Sequence, residues 1–267
     1  MIRIVFLAAI AFSAQAQSPA DKASVDKAWT SLSSGASDKS KGKREQAIRA
    51  LGLIPNEARA QDMAEKALSD ENYEVRSAAA EALGQMGSSR SIPKLIEAIK
   101  DTDVAVVVAS ANALVTLGDA RAYEVFYAIL TGERKSGESL MESQMKMVKD
   151  PKALASMGFT AGLGFIPFAG AGYSVYKMAR KDDSSPVRAA AAQKLVRDSD
   201  PKTNDAFRMT VTDKKWMVRA SVVDAIAKRG DPALLPAVVM AMDDENDNVR
   251  YDAAAAVIRL SKLQRSE

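Results

Sequence analysis

The chain has 267 residues, long enough for one or two domains with a sizeable core, and a formal net charge of +3. It contains neither Cys nor His, so disulfides, structural zinc, thiol nucleophiles and imidazole bases are excluded together. Ala, Leu, Val, Ile and Met dominate while aromatics are sparse, a mixture that favours helices, and the near-balanced charge gives no strong pull towards nucleic acid.

Residues 1–16 read as a secretory signal peptide. Met1-Ile2-Arg3 is a short basic start, Ile4 to Ala11 is apolar, and Ala14-Gln15-Ala16 is a small-x-small cleavage site before polar Gln17-Ser18. The expected destination is periplasmic or otherwise extracytoplasmic. Residues 17–130 then form an N-terminal block of repeated units. The first unit carries Asp38 and Arg44, with the basic cluster Lys39-Ser-Lys-Gly-Lys-Arg44 as its turn.

The second unit reads DENYEVRSAAAEALG over Asp70 to Gly84 and ends near Gly87. A helix at Ser91 to Lys100 leads to Val106-Val107, and another at Asp119 to Leu130 follows Gly118. Pro93 lies near a helix start, where a missing N–H costs little.

Residues 131–181 interrupt the pattern as a degenerate repeat with an insertion. Ala153 to Tyr176 is a charge-free run of 24 residues flanked by Lys149, Lys152, Lys177, Arg180 and Lys181. Its length meets the membrane-span criterion, but its Ala, Gly, Ser and Thr content and Pro167 favour an apolar, Gly-rich helical hairpin. That hairpin is expected to pack on the repeats, in an oligomer or against a membrane. Phe159, Phe165, Ile166, Phe168, Tyr173 and Tyr176 are its candidate partner-binding residues.

A C-terminal block, residues 182–267, resumes the pattern. Asp213 to Gly230 reads DKKWMVRASVVDAIAKRG, a helix spans Asp231 to Met242, and Asp244 to Leu260 reads DENDNVRYDAAAAVIRL. Pro232 lies near a helix start; Pro236, deeper in, is expected to bend its helix. Asp243 to Asn248 resembles the opening of a calcium loop but lacks the loop's Gly and Glu, so it is expected to be a capping turn.

These segments fall on one comb. Val187-Arg188, Val218-Arg219 and Val249-Arg250 recur every 31 residues; Val106-Val107 follows Val75-Arg76 by 31, and Arg44 precedes Arg76 by 32. Leu83, Leu114, Leu195, Ile226 and Val257, with Ala79, Ala191, Val222 and Ala253, define one buried helical stripe. Gly87, Gly118 and Gly230 are expected terminators. Each unit is therefore helix A, a turn, then helix B, and only a stack of such pairs can bury its apolar faces.

The pairs Asp38/Arg44, Asp70/Arg76, Asp182/Arg188, Asp213/Arg219 and Asp244/Arg250 repeat with the comb, so they are expected to form a structural ladder. The Asp binds turn N–H groups, and the Arg reaches a carboxylate of its own or the adjacent repeat. Val107 breaks this ladder. Tyr73 and Trp216, at equivalent positions before helix B, are further candidate partner anchors. The helix B stripes carry mixed polar residues, among them Glu81, Asn112, Gln193, Asp224 and Lys228, rather than a basic surface for nucleic acid.

Segments such as IPKLIEAIKDTD and DENYEVRSAAAEALGQMG resemble HEAT repeats, especially the short bacterial HEAT-like type also found in bilin lyases. The resemblance implies an all-α solenoid of about six to seven helix pairs. The resemblance is unspecific as to function, since the fold supports scaffolds, adaptors and a few enzymes; together with the signal peptide, the expected function is an exported scaffold or adaptor that binds a protein partner, without catalysis or cofactor. Two alternatives remain open: a peripheral membrane or envelope-assembly factor using 153–176, and a HEAT-like lyase-type enzyme. An enzyme would need a cluster of carboxylates or Lys at non-equivalent repeat positions.

Overall fold

The structure is a computed structural model that describes residues 19–131 and 184–265. Among these residues there are twelve α-helices and no strand. In chain order they are α1 (Pro19–Ala36), α2 (Lys41–Ala50), α3 (Ala58–Ala67), α4 (Tyr73–Gln85), α5 (Ile92–Ala98), α6 (Val104–Thr116) and α7 (Ala122–Leu130). After residues 132–183 come α8 (Ser185–Lys194), α9 (Pro201–Thr210), α10 (Trp216–Arg229), α11 (Leu235–Ala241) and α12 (Asp247–Gln264).

Helix limits follow local chemistry. Asn72, Asp103, Asp200 and Asn246 cap α4, α6, α9 and α12 through side-chain oxygens that accept N–H groups of the first turn. Gly87, Gly118 and Gly230 all have positive φ (71°, 78° and 70°), so each of the three expected terminators adopts the left-handed conformation that ends its helix or the turn after it. Pro236 departs from its expectation. A 3-10 turn at Pro232–Leu234 absorbs the approach, which leaves Pro236 in the first turn of α11, where it bends nothing.

The B helices pack side by side in the order α8, α10, α12, α2, α4, α6, and α1 lies along both α12 and α2. Order in space is thus a permutation of order in the chain: the last repeat stacks on the first. Residues 132–183 connect α7 and α8, which stand at opposite ends of this row. The apolar stripe forms the core: Ala79, Leu83, Leu114, Val222, Ile226, Ala253 and Val257 are all buried. Ala191 is exposed and Leu195 only partly buried, because α8 is the outermost described helix of the row. Small residues set the spacing; a Cβ on Gly84 would stand 2.9 Å from the Ala113 Cα on α6.

The row is bent. In a flat row, helices two places apart stand roughly 16–20 Å from each other. Here α10 touches the 3-10 turn Leu51–Leu53 that follows α2, past the intervening α12, so the B-helix side is the inside of the bend. No described helix is long and apolar enough to cross a membrane.

Candidate recognition groove at the seam between the two repeat blocks

Two kinds of polar structure line the stack. The first is the ladder. Each turn Asp receives a backbone N–H two residues ahead: Asn72 donates to Asp70, Asp103 to Asp101, Lys215 to Asp213 and Asn246 to Asp244. Arg44, Arg76 and Arg219 donate through Nη1 to the carbonyls of their own turns; Arg76, for example, reaches Asp70 and Glu71. Their remaining nitrogens grip the next repeat's carboxylate. Arg44 binds both oxygens of Asp70 (2.8 and 2.9 Å), Arg76 those of Asp101 (2.7 and 2.9 Å) and Arg219 those of Asp244 (2.6 and 2.8 Å). Arg188 pairs with Asp213.

Of the two partners left open by the sequence, the adjacent repeat's carboxylate is the one used. Asp101 is a rung that the six-residue spacing missed, since Val107 concealed its unit. Asp182 lies outside the described residues. Burial opposes ionisation of Asp70, Asp101 and Asp244. The guanidinium and the turn N–H more than offset it, so all three carboxyls titrate below the usual range.

The ladder stops where α12 meets α2. Arg250 makes the usual bonds to the carbonyls of Asp244 and Glu245 (2.8 and 3.0 Å), but its remaining charge goes to Asp247 on its own helix. It does not cross to Asp38, which pairs with Lys43 at 3.6 Å. The seam is held by shape instead. The buried Tyr251 ring lies over Gly35, where a Cβ would stand 2.6 Å from it. Ion pairs rim the seam, Lys27 with Asp243 at 2.6 Å and Lys262 with Glu57 at 3.3 Å.

The second polar structure lies inside the bend at this seam. On α10, Asp224 is buried and sits 2.8 Å from Lys228 one turn on. Asp252 and Arg259 project from α12; Gln46 and Arg49 belong to α2 and Glu81 to α4. Arg49 is committed to Glu45 at 2.8 Å and to Glu81 on the next helix. Arg259 donates to the Leu53 carbonyl at 3.2 Å.

Several hydrogen-bonding groups remain unspent here. Gln46 Oε1 and Arg259 Nε are buried without a hydrogen bond, whereas Asp224 Oδ2 is held by Lys228 at 2.8 Å. The Asp252 carboxyl has no partner closer than a through-space interaction. Burial pushes its pKa well up, the neighbouring Asp224 charge pushes the same way, and Lys228 and Arg49 oppose. Burial likewise lowers the pKa of Arg259, with Asp224 opposing. Glu81, Asp224 and Lys228 belong to the mixed stripe legible in the sequence. Arg49 holds the comb position of Glu81 and Asp224, and Arg259 that of Lys228, 31 residues on; Asp252 lies two residues after Arg250, as Gln46 does after Arg44, and the stacking of α12 on α2 brings the two blocks' residues alongside.

The hairpin candidates Phe159, Phe165, Ile166, Phe168, Tyr173 and Tyr176 lie outside the described residues. Tyr73 and Trp216 begin α4 and α10 and are each partly buried. Trp216 packs against the core, and Tyr73 Oη stands 3.5 Å from Glu74. Both sit at ladder turns, in the two different repeat blocks. In the Asp243 to Asn248 segment, Asp244 holds Arg219 and Asn246 caps α12, the capping role expected of it.

A sequence profile described as HEAT repeats matches residues 30–115, 66–137 and 174–258. The chain belongs to the HEAT-repeat family. No curated protein matches it in sequence. Among solved structures it is similar to the complex of CpcE and CpcF of phycocyanin lyase from Nostoc. That match has 19% identity and a TM-score of 0.35, and covers 90% of this chain and 94% of that one. Human deoxyhypusine hydroxylase in complex with glycerol matches at 18% identity and a TM-score of 0.31, covering 91% and 89%. A designed armadillo repeat protein matches at 16% identity and a TM-score of 0.28, covering 88% and 99%.

Proposed function

We propose that this HEAT-repeat chain is an exported protein-binding scaffold, acting by binding rather than catalysis, and that it holds its partner against the inner face of the B-helix row at the seam. The observation that carries this reading is the set of polar side chains on this face that the stack does not use in full: Gln46, Asp252 and Arg259. The ladder residues, by contrast, are bonded to one another and serve the stack. A groove with fixed charges on rigid helices is pre-organised, which lowers the entropic cost of association. The apolar start of the chain supports export.

The test uses the full chain expressed in its native envelope. The mature N-terminus should be Gln17 in an extracytoplasmic fraction; intact Met1 on a cytoplasmic protein contradicts export. For the groove, a wild-type bait is compared with Asp224→Arg/Glu81→Arg and with Met209→Asp/Met240→Asp, an outer-face control at exposed residues. Partners retained by wild type and by the outer-face control, but lost from the groove variant at unchanged helical content, support the reading. Retention by the groove variant overturns it.

A further inference from the structure

We infer that the seam is an exchangeable interface: when copies of this chain fold together at high concentration, the C-terminal block of one stacks on the N-terminal block of another. The product is a reciprocal dimer in which each groove is assembled from two chains. The blocks meet through α10 and α12 on one side and α1, α2 and the turn Leu51–Leu53 on the other. Lys262 reaches further, to Asn56 and Glu57. The residues joined here are remote in sequence: Lys27 and Asp243 are 216 positions apart, Arg259 and Leu53 206. No short loop enforces any of these contacts.

The covalent connection lies elsewhere. Residues 132–183 join α7 to α8, at the two ends of the row that are farthest from the seam. The surface of α1 and α2 therefore has no means of telling whether the α12 that reaches it belongs to its own chain. Every seam contact of the monomer is available between two copies, so concentration during folding decides between them.

The way the seam recognises its neighbour limits what can form. A ladder rung would accept any turn that carries the Asp. The seam has no such rung; Arg250 spends its charge on Asp247 of its own helix. Tyr251 must instead lie over Gly35, with Lys27 meeting Asp243 and Lys262 meeting Glu57. An open seam thus has one matching surface, the open seam of a second copy. Reciprocal exchange uses both free surfaces of both chains and closes at two. Arg49 and Glu81 then come from one chain, and Asp224, Asp252 and Arg259 from the other, so a molecule held in the groove touches both.

The test mixes equal amounts of the unlabelled and the nitrogen-15-labelled full chain in urea and refolds them by dilution to low or to high protein concentration. Monomer and dimer are separated by gel filtration and treated with a carbodiimide, and the peptide linking Lys27 to Asp243 is read by mass spectrometry. The expected result is monomer with unmixed links at low concentration. At high concentration a dimer should appear, with light-to-heavy links in the proportion that random pairing gives. Met209→Asp/Met240→Asp, on the outer face, should leave the yield of dimer unchanged. The inference is overturned if no dimer forms, if the dimer carries only unmixed links, or if the outer-face variant abolishes it.

Discussion

The contacts within each repeat block and the contact between the blocks are built differently. Inside the blocks, α8 to α10 to α12 and α2 to α4 to α6, each B helix is tied to the next by an Arg that reads its neighbour's turn carboxylate. At the seam between α12 and α2 that tie is missing, and Tyr251 over Gly35 takes its place. A ladder rung is indifferent to which repeat follows, provided that the turn has the Asp. The seam accepts one neighbour only, because a ring and a glycine must coincide. Register within a block is thus held by repeated chemistry, and closure of the blocks by a single fit of shapes. The groove with unspent polar groups lies at this seam.

The contrast predicts an order of effects. Arg219→Ala should be the most damaging, at about 3 kcal/mol, since it strands the nearly buried Asp244 carboxylate. Gly35→Ala should follow, at about 1–3 kcal/mol, because the new methyl must displace the confined Tyr251 ring. Arg250→Ala should cost least, about 1 kcal/mol or less, since Asp247 can turn to water. Urea midpoints at constant slope measure all three. An Arg250→Ala variant as unstable as Arg219→Ala would mean that the ladder runs through the seam after all.

A smaller effect distinguishes the two regions by pH. Ladder carboxyls titrate low, so their stabilisation is full above the ordinary carboxylate range and is lost as pH falls through their lowered folded-state values. Asp252 is the reverse case. It faces Asp224 and Lys228 on α10 and Arg49 on α2, and shares its helix with Arg259. Its raised folded-state pKa means that the folded protein holds a proton that the unfolded chain releases, so stability falls as pH rises from the ordinary carboxylate value. Asp252→Asn should flatten that decline while leaving the acid limb of the curve in place. Urea midpoints across the pH range check both limbs, and an unchanged decline in the variant would assign it to another group.

Much of the stack was legible in the sequence because its chemistry is local. Val-Arg recurrence, turn Asp residues and terminal glycines each report on a few neighbouring positions, and the helices stand where those signals place them. Pro236 was misread because a 3-10 turn at Pro232–Leu234 shifts the start of α11, a detail that the apolar period does not encode. Ala191 was assigned to the buried stripe on its register alone, but burial also requires a neighbour, and α8 has a described one on one side only. The order of repeats was not legible at all. Equivalent units offer equivalent faces, so nothing in the comb says that α12 stacks on α2. Half of the groove is hidden for the same reason: Glu81, Asp224, Lys228 and, one period on, Arg259 lie on one mixed stripe, but nothing in the comb sets α12, with Asp252 and Arg259, beside α2 and Arg49.

The central claim is that residues far apart in sequence, at the two ends of the described chain, form one interface. Lys27 and Asp243 are exposed, 216 residues apart and in contact at 2.6 Å. A carbodiimide joins a lysine to a carboxylate with no spacer, and therefore only where the two already touch. Treating the dilute full-length protein with it and sequencing the digested monomer band by mass spectrometry should yield an isopeptide linking Lys27 to Asp243, accompanied by one linking Lys262 to Glu57. Intramolecular links confined to pairs within each repeat block, with neither of these two present, would contradict the permuted stack and the groove that depends on it.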